Sequence, residues 1–152
     1  QLKSEGVFRM KQIEVFVGIL LLILVAGVTS ADEIGGLEGA LRQVVEKNLA
    51  AYNAEDAPGT LATVHTNSPA YGNLRDALPG QFGALNTRTE LERFTYIGHD
   101  DEFAVARVQY RTEGGSAEPF MNNILDTITL FHQEDGTWKY WDNYILGGRL
   151  VK

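Results

Sequence analysis

Met121-Asn122-Asn123-Ile124-Leu125-Asp126-Thr127-Ile128-Thr129-Leu130-Phe131-His132 and, beyond Glu134-Asp135-Gly136, Thr137-Trp138-Lys139-Tyr140-Trp141-Asp142-Asn143-Tyr144-Ile145-Leu146 decide the fold. Both runs are rich in β-branched and aromatic residues and a turn signal separates them, so they read as adjacent strands. Towards the N-terminus the period of two persists back to Thr87, interrupted by turn signals at Gly114-Gly115-Ser116 and His99-Asp100-Asp101. Four strands follow, over 89–98, 102–113, 119–132 and 137–146. Their short connections make neighbours antiparallel.

Ahead of Thr87 the period becomes helical. Leu37, Leu41, Val44, Val45, Asn48, Leu49 and Tyr52 form a stripe opposite Glu38, Arg42, Glu46 and Lys47, which predicts an amphipathic helix over 36–54. Asp56 is a good N-cap, Pro58 fits a first turn, and Leu61, Val64 and His65 give a short second helix one face. Leu74, Leu78, Phe82 and Leu85 predict a third helix, kinked or split at Pro79-Gly80. Helices first and sheet second is the α+β pattern, in which a curved sheet wraps over helices held on one face.

A length of 152 residues with 44% hydrophobic and 22% charged residues suits a single globular domain. A formal charge of -7 with no basic run excludes nucleic acid as a partner and disfavours anionic membrane surfaces. The absence of cysteine excludes disulfides, a thiol nucleophile and thiolate metal sites. Val15–Ala31 carries no charge, Arg9 and Lys11 flank it, and Thr29-Ser30-Ala31 supplies small residues for cleavage after Ser30 or Ala31. The expected organisation is therefore 1–9 upstream of the first methionine, 10–31 a signal peptide, and 32–152 one exported domain, periplasmic or secreted and free of the membrane after cleavage. An uncleaved N-terminal membrane anchor is the alternative.

The order of elements, together with Tyr52-Asn53-Ala54-Glu55-Asp56 at the helix junction and Asp135-Gly136-Thr137-Trp138-Lys139 in the last hairpin, resembles the nuclear transport factor 2-like superfamily. More narrowly it is similar to the SnoaL-like and ketosteroid-isomerase-like branches, over residues 36–147. The resemblance implies a cone of strongly bent antiparallel sheet closed by three N-terminal helices, commonly with a pocket in the cone, and commonly a homodimer through the outer face of the sheet. It implies no single activity, because isomerases, cyclases, dehydratases and binding modules share the fold.

On the third strand Asn122, Ile124, Asp126, Ile128 and Leu130 share one face, which their aliphatic content marks as the core. Asp126 there is either a desolvated general acid or base, or a structural partner of Arg107 or Arg111 that such an arginine would hold ionised. His65, read as ending the second helix, is a proton-shuttle candidate or an imidazole stabilised by the helix dipole. Tyr71, Asn122, Trp141, Asn143 and Tyr52 are the candidates for lining a pocket. On the last strand Trp141, Asn143 and Ile145 are expected opposite Trp138, Tyr140, Asp142 and Tyr144. His99 and His132 read as solvated.

Ketosteroid isomerases place a carboxylate just after the second helix, and residues 66–73 here contain none, so that mechanism is not transferred. Three dispersed histidines give no metal-ligand spacing, and no cofactor-binding motif is present. Two readings stay open. One is an exported domain binding a small apolar molecule, with cofactor-independent isomerase, dehydratase or lyase-type chemistry as its catalytic form. The other is a non-catalytic homodimeric interaction module whose cone is filled by its own side chains.

Overall fold

The computed structural model describes residues 29–84, 87–114 and 121–151, and the chain divides into two compact units, Gln1–Leu37 and Glu38–Lys152. The predicted export segment, residues 10–31, lies outside the described residues apart from Thr29, Ser30 and Ala31. Leu85, Gly115, Ser116 and the first two residues of the predicted third strand lie outside them too.

Helix α1 spans Thr29–Asn53, α2 Ala57–Ala62 and α3 Tyr71–Ala84. The start of α1 precedes the predicted one because Gly35 and Gly36 weaken a helix, by about 1 kcal/mol each, without the steric block of a proline. From Glu38 onward the stripe behaves as its spacing predicts: Leu41 and Val45 are fully buried, while Gln43, Glu46 and Lys47 are exposed. The helix ends where Glu55 enters the left-handed region at φ 56°. Asp56 then caps α2 by accepting the Gly59 N–H at 3.0 Å. A Cβ at 59 would run into the Asp56 carboxylate, so a larger residue there would displace the cap.

Two helical expectations need correction. α2 stops at Ala62, so His65 does not end it; the Thr63 hydroxyl turns back to the Thr60 carbonyl at 2.7 Å and closes the helix first. The chain then runs beside β4: His65 N–H donates to the Tyr140 carbonyl at 2.8 Å, and Tyr140 N–H donates to the Thr63 carbonyl at 2.9 Å. α3 is not split at Pro79: it runs as one helix from Tyr71 to Ala84 and loses the single N–H bond that proline removes.

Strands β1 (Thr87–His99), β2 (Phe103–Gly114), β3 (Met121–Glu134) and β4 (Thr137–Leu150) form one antiparallel sheet in that order. Asp135 and Gly136 both take positive φ, 52° and 73°, which is the two-residue turn that matches the twist of a hairpin. β2 and β3 pair without interruption from Phe103↔His132 to Gly114↔Met121. The edge strands do not: β1 carries an extra residue at Glu92 and at Ile97, and β4 one at Trp141 and at Leu146. Each bulge bends its strand and increases the local twist, which gives the sheet its curvature. Phe94, Ala104, Ala106, Val108, Tyr110, Thr127, Thr129, Phe131 and Tyr140 are buried on its inner face.

That list reverses the face assigned to β3. Thr127, Thr129 and Phe131 pair with Val108, Ala106 and Ala104 on the inner face, so Asn122, Ile124, Asp126, Ile128 and Leu130 lie on the outer one. Two buried threonines outweigh the aliphatic count because their hydroxyls are satisfied in place. Thr127 Oγ1 donates to the Val108 carbonyl at 3.0 Å, and Thr129 Oγ1 donates to Asn143 Oδ1 at 3.0 Å.

Candidate functional site

The inner face holds a line of hydroxyls that hydropathy does not reveal. Tyr110 and Tyr140 face each other from β2 and β4 with their phenolic oxygens 3.1 Å apart, and Thr127, Thr129 and Asn143 continue the line. Burial pushes both tyrosines above the ordinary phenol range, Tyr140 strongly, so both stay protonated donors. Tyr140 and Asn143 reach the same face because Trp141 is bulged out between them. The expected split of β4 into two alternating faces therefore fails at that residue. The signal for this cluster was the alternation of Thr127 and Thr129 on β3, with Tyr110 and Tyr140 on the strands to either side.

Asp126 sits on the outer face opposite Gln109. Arg107 grips its carboxylate at both oxygens, with Nε 2.9 Å from Oδ1 and Nη2 on Oδ2. This guanidinium holds the carboxyl below the usual aspartate range, the direction opposite to that of a proton donor at neutral pH. Of the two roles weighed for Asp126, the contacts are those of the structural pair. Asn122 shares the outer face, and its Oδ1 is buried without a hydrogen-bond partner among the described residues.

His65 is 5% exposed and forms the base of an aromatic group with His132, Trp141 and Phe103. Its ring centre lies 4.8 Å from that of His132 and 5.0 Å from that of Trp141. Its Nδ1 accepts the Asn67 N–H at 3.0 Å and stands 3.6 Å from Glu134 Oε1. Glu134 also takes the Thr66 hydroxyl and the Lys139 ammonium. Lys139 above all, then Thr66, lowers its carboxyl to about 2. His132 is half-buried rather than solvated as expected: Phe103 and Trp141 pack on it, and its Nδ1 is 2.8 Å from the Gln133 carbonyl. His99 is exposed at the end of β1, bonded to the Tyr96 hydroxyl.

The other predicted residues scatter. Tyr52 packs edge-on against Phe82 at 5.2 Å and joins α1 to α3. Tyr71 opens α3 half-exposed, its N–H on the Ser68 carbonyl at 3.1 Å. Asn143 is exposed apart from its bond to Thr129. Only His65 and Trp141 are brought into contact; Asp126 belongs to a separate set of partners on the outer face. An open depression of about 710 Å³ lies between the end of α1 and the β1–β2 pair, lined by Asn53, Thr87, Arg88 and Glu113 among others, and contains neither catalytic candidate. At its border Asn53 bonds Thr89 twice, Nδ2 to the carbonyl at 2.7 Å and Oδ1 from the N–H at 2.8 Å.

Set beside known proteins, the chain gives one family match: the sequence profile of the C-terminal domain of the anti-sigma-I factor RsgI9 matches residues 43–147. No curated protein matches the chain in sequence. Among solved structures it is similar to Rv3472 of Mycobacterium tuberculosis, a protein of unknown function, with a TM-score of 0.68 at 13% identity over 81% of this chain and 76% of that one. It is similar also to a nuclear transport factor 2-like protein of unknown function from Pseudomonas putida, with a TM-score of 0.61 at 17% identity over 73% and 86%. A ketosteroid isomerase-like protein from Erwinia carotovora follows, at 0.53 and 14% identity over 75% and 95%. The expected nuclear transport factor 2-like fold is the one these structures share.

Proposed function

Since the chain belongs to the family of the anti-sigma-I factor RsgI9 C-terminal domain, we propose that it is a non-catalytic interaction domain of a regulator of that kind, exported and self-associating through its sheet. The observation that carries this reading is how the polar groups of the cone are used. Tyr110 and Tyr140 face each other, Thr127 and Thr129 bond a carbonyl and Asn143, and Phe131 and Tyr140 pack with ring centres 5.3 Å apart. These side chains satisfy one another across the inner face, which supports a cone occupied by its own groups. The acid candidate Asp126 is neutralised on the other face. The outer face presents Val105, Ile128 and Leu130 half-exposed and Tyr144 exposed, an apolar surface of the kind that associating proteins cover. The apolar segment ending at Ala31 supports export of the domain that follows it.

A specific observation also favours the other reading, a small-molecule site. Tyr110, Tyr140 and Thr129 would offer a carbonyl-bearing apolar ligand two phenolic donors in a dry surround. Thermal unfolding with a panel of apolar ketones and sedimentation velocity over a range of protein concentrations separate the two. The interaction reading expects an unchanged Tm with every ketone and a reversible dimer. A ligand that raises Tm in proportion to the logarithm of its concentration, on a chain that stays monomeric, would replace it with the pocket reading.

A further inference from the structure

Resting on the reading of the chain as a self-associating domain, we propose that two copies join along the free edge of β4, antiparallel, in the register that sets Asp142 opposite Arg149 of the second copy. β4 is the last strand of the sheet, and among the described residues only its first part is bordered on the far side, by the bridge from Val64 to Tyr140. Every residue from Asn143 to Leu150 is exposed, with Tyr144 at 55%, Ile145 at 68%, Leu146 at 56% and Leu150 at 73%. An edge strand with apolar side chains open on both faces is a template for another strand.

The sequence along that edge is complementary to itself. Under a two-fold axis between Ile145 and Leu146, Asp142 meets Arg149, Asn143 meets Gly148 and Tyr144 meets Gly147, each pair occurring twice. The pairs also share faces. Asp142, Tyr144, Gly147 and Arg149 stand opposite Leu130, Ile128, Asp126 and Ile124 of β3, all on the outer face, whereas Asn143 and Gly148 stand opposite Thr129 and Leu125 on the inner face. The bulge at Leu146 makes this possible, because it shifts the alternation by one residue between the two halves of the strand.

The charges and shapes fit as well. Arg149 makes no ion pair with another described residue, and Asp142 takes the neighbouring Asn143 N–H at 2.8 Å and the Tyr144 hydroxyl of its own strand but no cation among the described residues. A Cβ on Gly147 would meet nothing within 4 Å, which leaves the space above it to a tyrosine ring of the second copy. A single foreign strand would match one half of this pattern; a second copy matches both. The product is one continuous sheet of eight strands with a common outer face.

Charge reversal tests the register. Asp142→Arg and Arg149→Asp each place like charges opposite one another twice, and each is expected to weaken self-association of the full chain at least ten-fold, roughly 1.4 kcal/mol. The double reversal restores it to within about three-fold, since the pairs are regenerated in the opposite sense. Because the chain has no cysteine, an equal mixture of Asn143→Cys and Gly148→Cys chains is also expected to form a mixed disulfide under mild oxidation that neither forms alone. A dimer indifferent to both single reversals and without the mixed disulfide would overturn the edge pairing while keeping the interaction reading. A chain that is monomeric throughout would overturn both.

Discussion

β3 and β4 are strands of 14 residues each, joined by a two-residue turn, and they differ in nearly everything else. β3 lies between two partners, keeps an unbroken register with β2, and buries Ile124, Thr127, Thr129 and Phe131. β4 has one full partner, two bulges, and a distal half in which no residue is buried. Composition does not make this difference, since β4 is the more aromatic of the two. Position in the sheet does: a central strand is covered because its neighbours carry the helices and the rest of the sheet over it, while an edge strand stays open unless something outside the chain closes it.

The contrast can be broken by measurement, beginning with the largest effect. Phe131→Ala empties a fully buried site on β3 and is expected to cost about 3–5 kcal/mol in urea unfolding. A loss under about 1 kcal/mol would mean that β3 is not the packed strand. Glu134→Gln weakens the clamp between the end of β3 and Lys139 of β4, and is expected to cost about 1.5 kcal/mol at pH 7, as hydrogen bonds to a charged group do. The folded carboxyl lies below its ordinary value, so its contribution is present above pH 4.5 and lost as the pH falls towards about 2. The parent's stability should decline across that window more than the variant's, and parallel acid titrations of the two would refute the clamp.

Tyr140→Phe removes the Tyr140 partner of the Tyr110 hydroxyl, leaving it Thr129, and is expected to cost about 1 kcal/mol. Stabilisation by this change would show that the hydroxyl line is not a satisfied network. At the open end of β4, Leu150→Ala should change stability by less than about 0.5 kcal/mol. If it costs more than 1 kcal/mol in a monomeric chain, the distal half of β4 is covered after all and the contrast with β3 disappears.

Much of the fold was legible in the residues. The stripe from Leu41 to Val45, the Asp56 cap and the Asp135-Gly136 turn are local devices, each acting within about one turn of chain, and each stands where its chemistry puts it. The face of β3 was not legible, because Ile124, Ile128 and Leu130 outscore Thr127 and Thr129 in hydropathy. What decides the matter is a carbonyl on β2 and an amide on β4 that satisfy the threonine hydroxyls across the sheet. The place of His65 was missed for a similar reason. Its backbone is captured by Tyr140, 75 residues later, and no local signal announces that capture. The candidate site was accordingly half readable: His65 and Trp141 do meet, whereas Asp126 needed the register to show that it faces outward, six residues along β3 from His132.

Asn53 carries one more consequence. By presenting Thr89 with a donor and an acceptor together, its amide imitates the backbone of a strand, so the outer rim of the sheet on the β1 side begins already occupied. Beyond Thr89 the same edge carries the two bulges at Glu92 and Ile97, which twist it away from a further strand. Pairing through β4 about a two-fold axis closes after one step, and that closure keeps an exposed ladder from becoming a fibre.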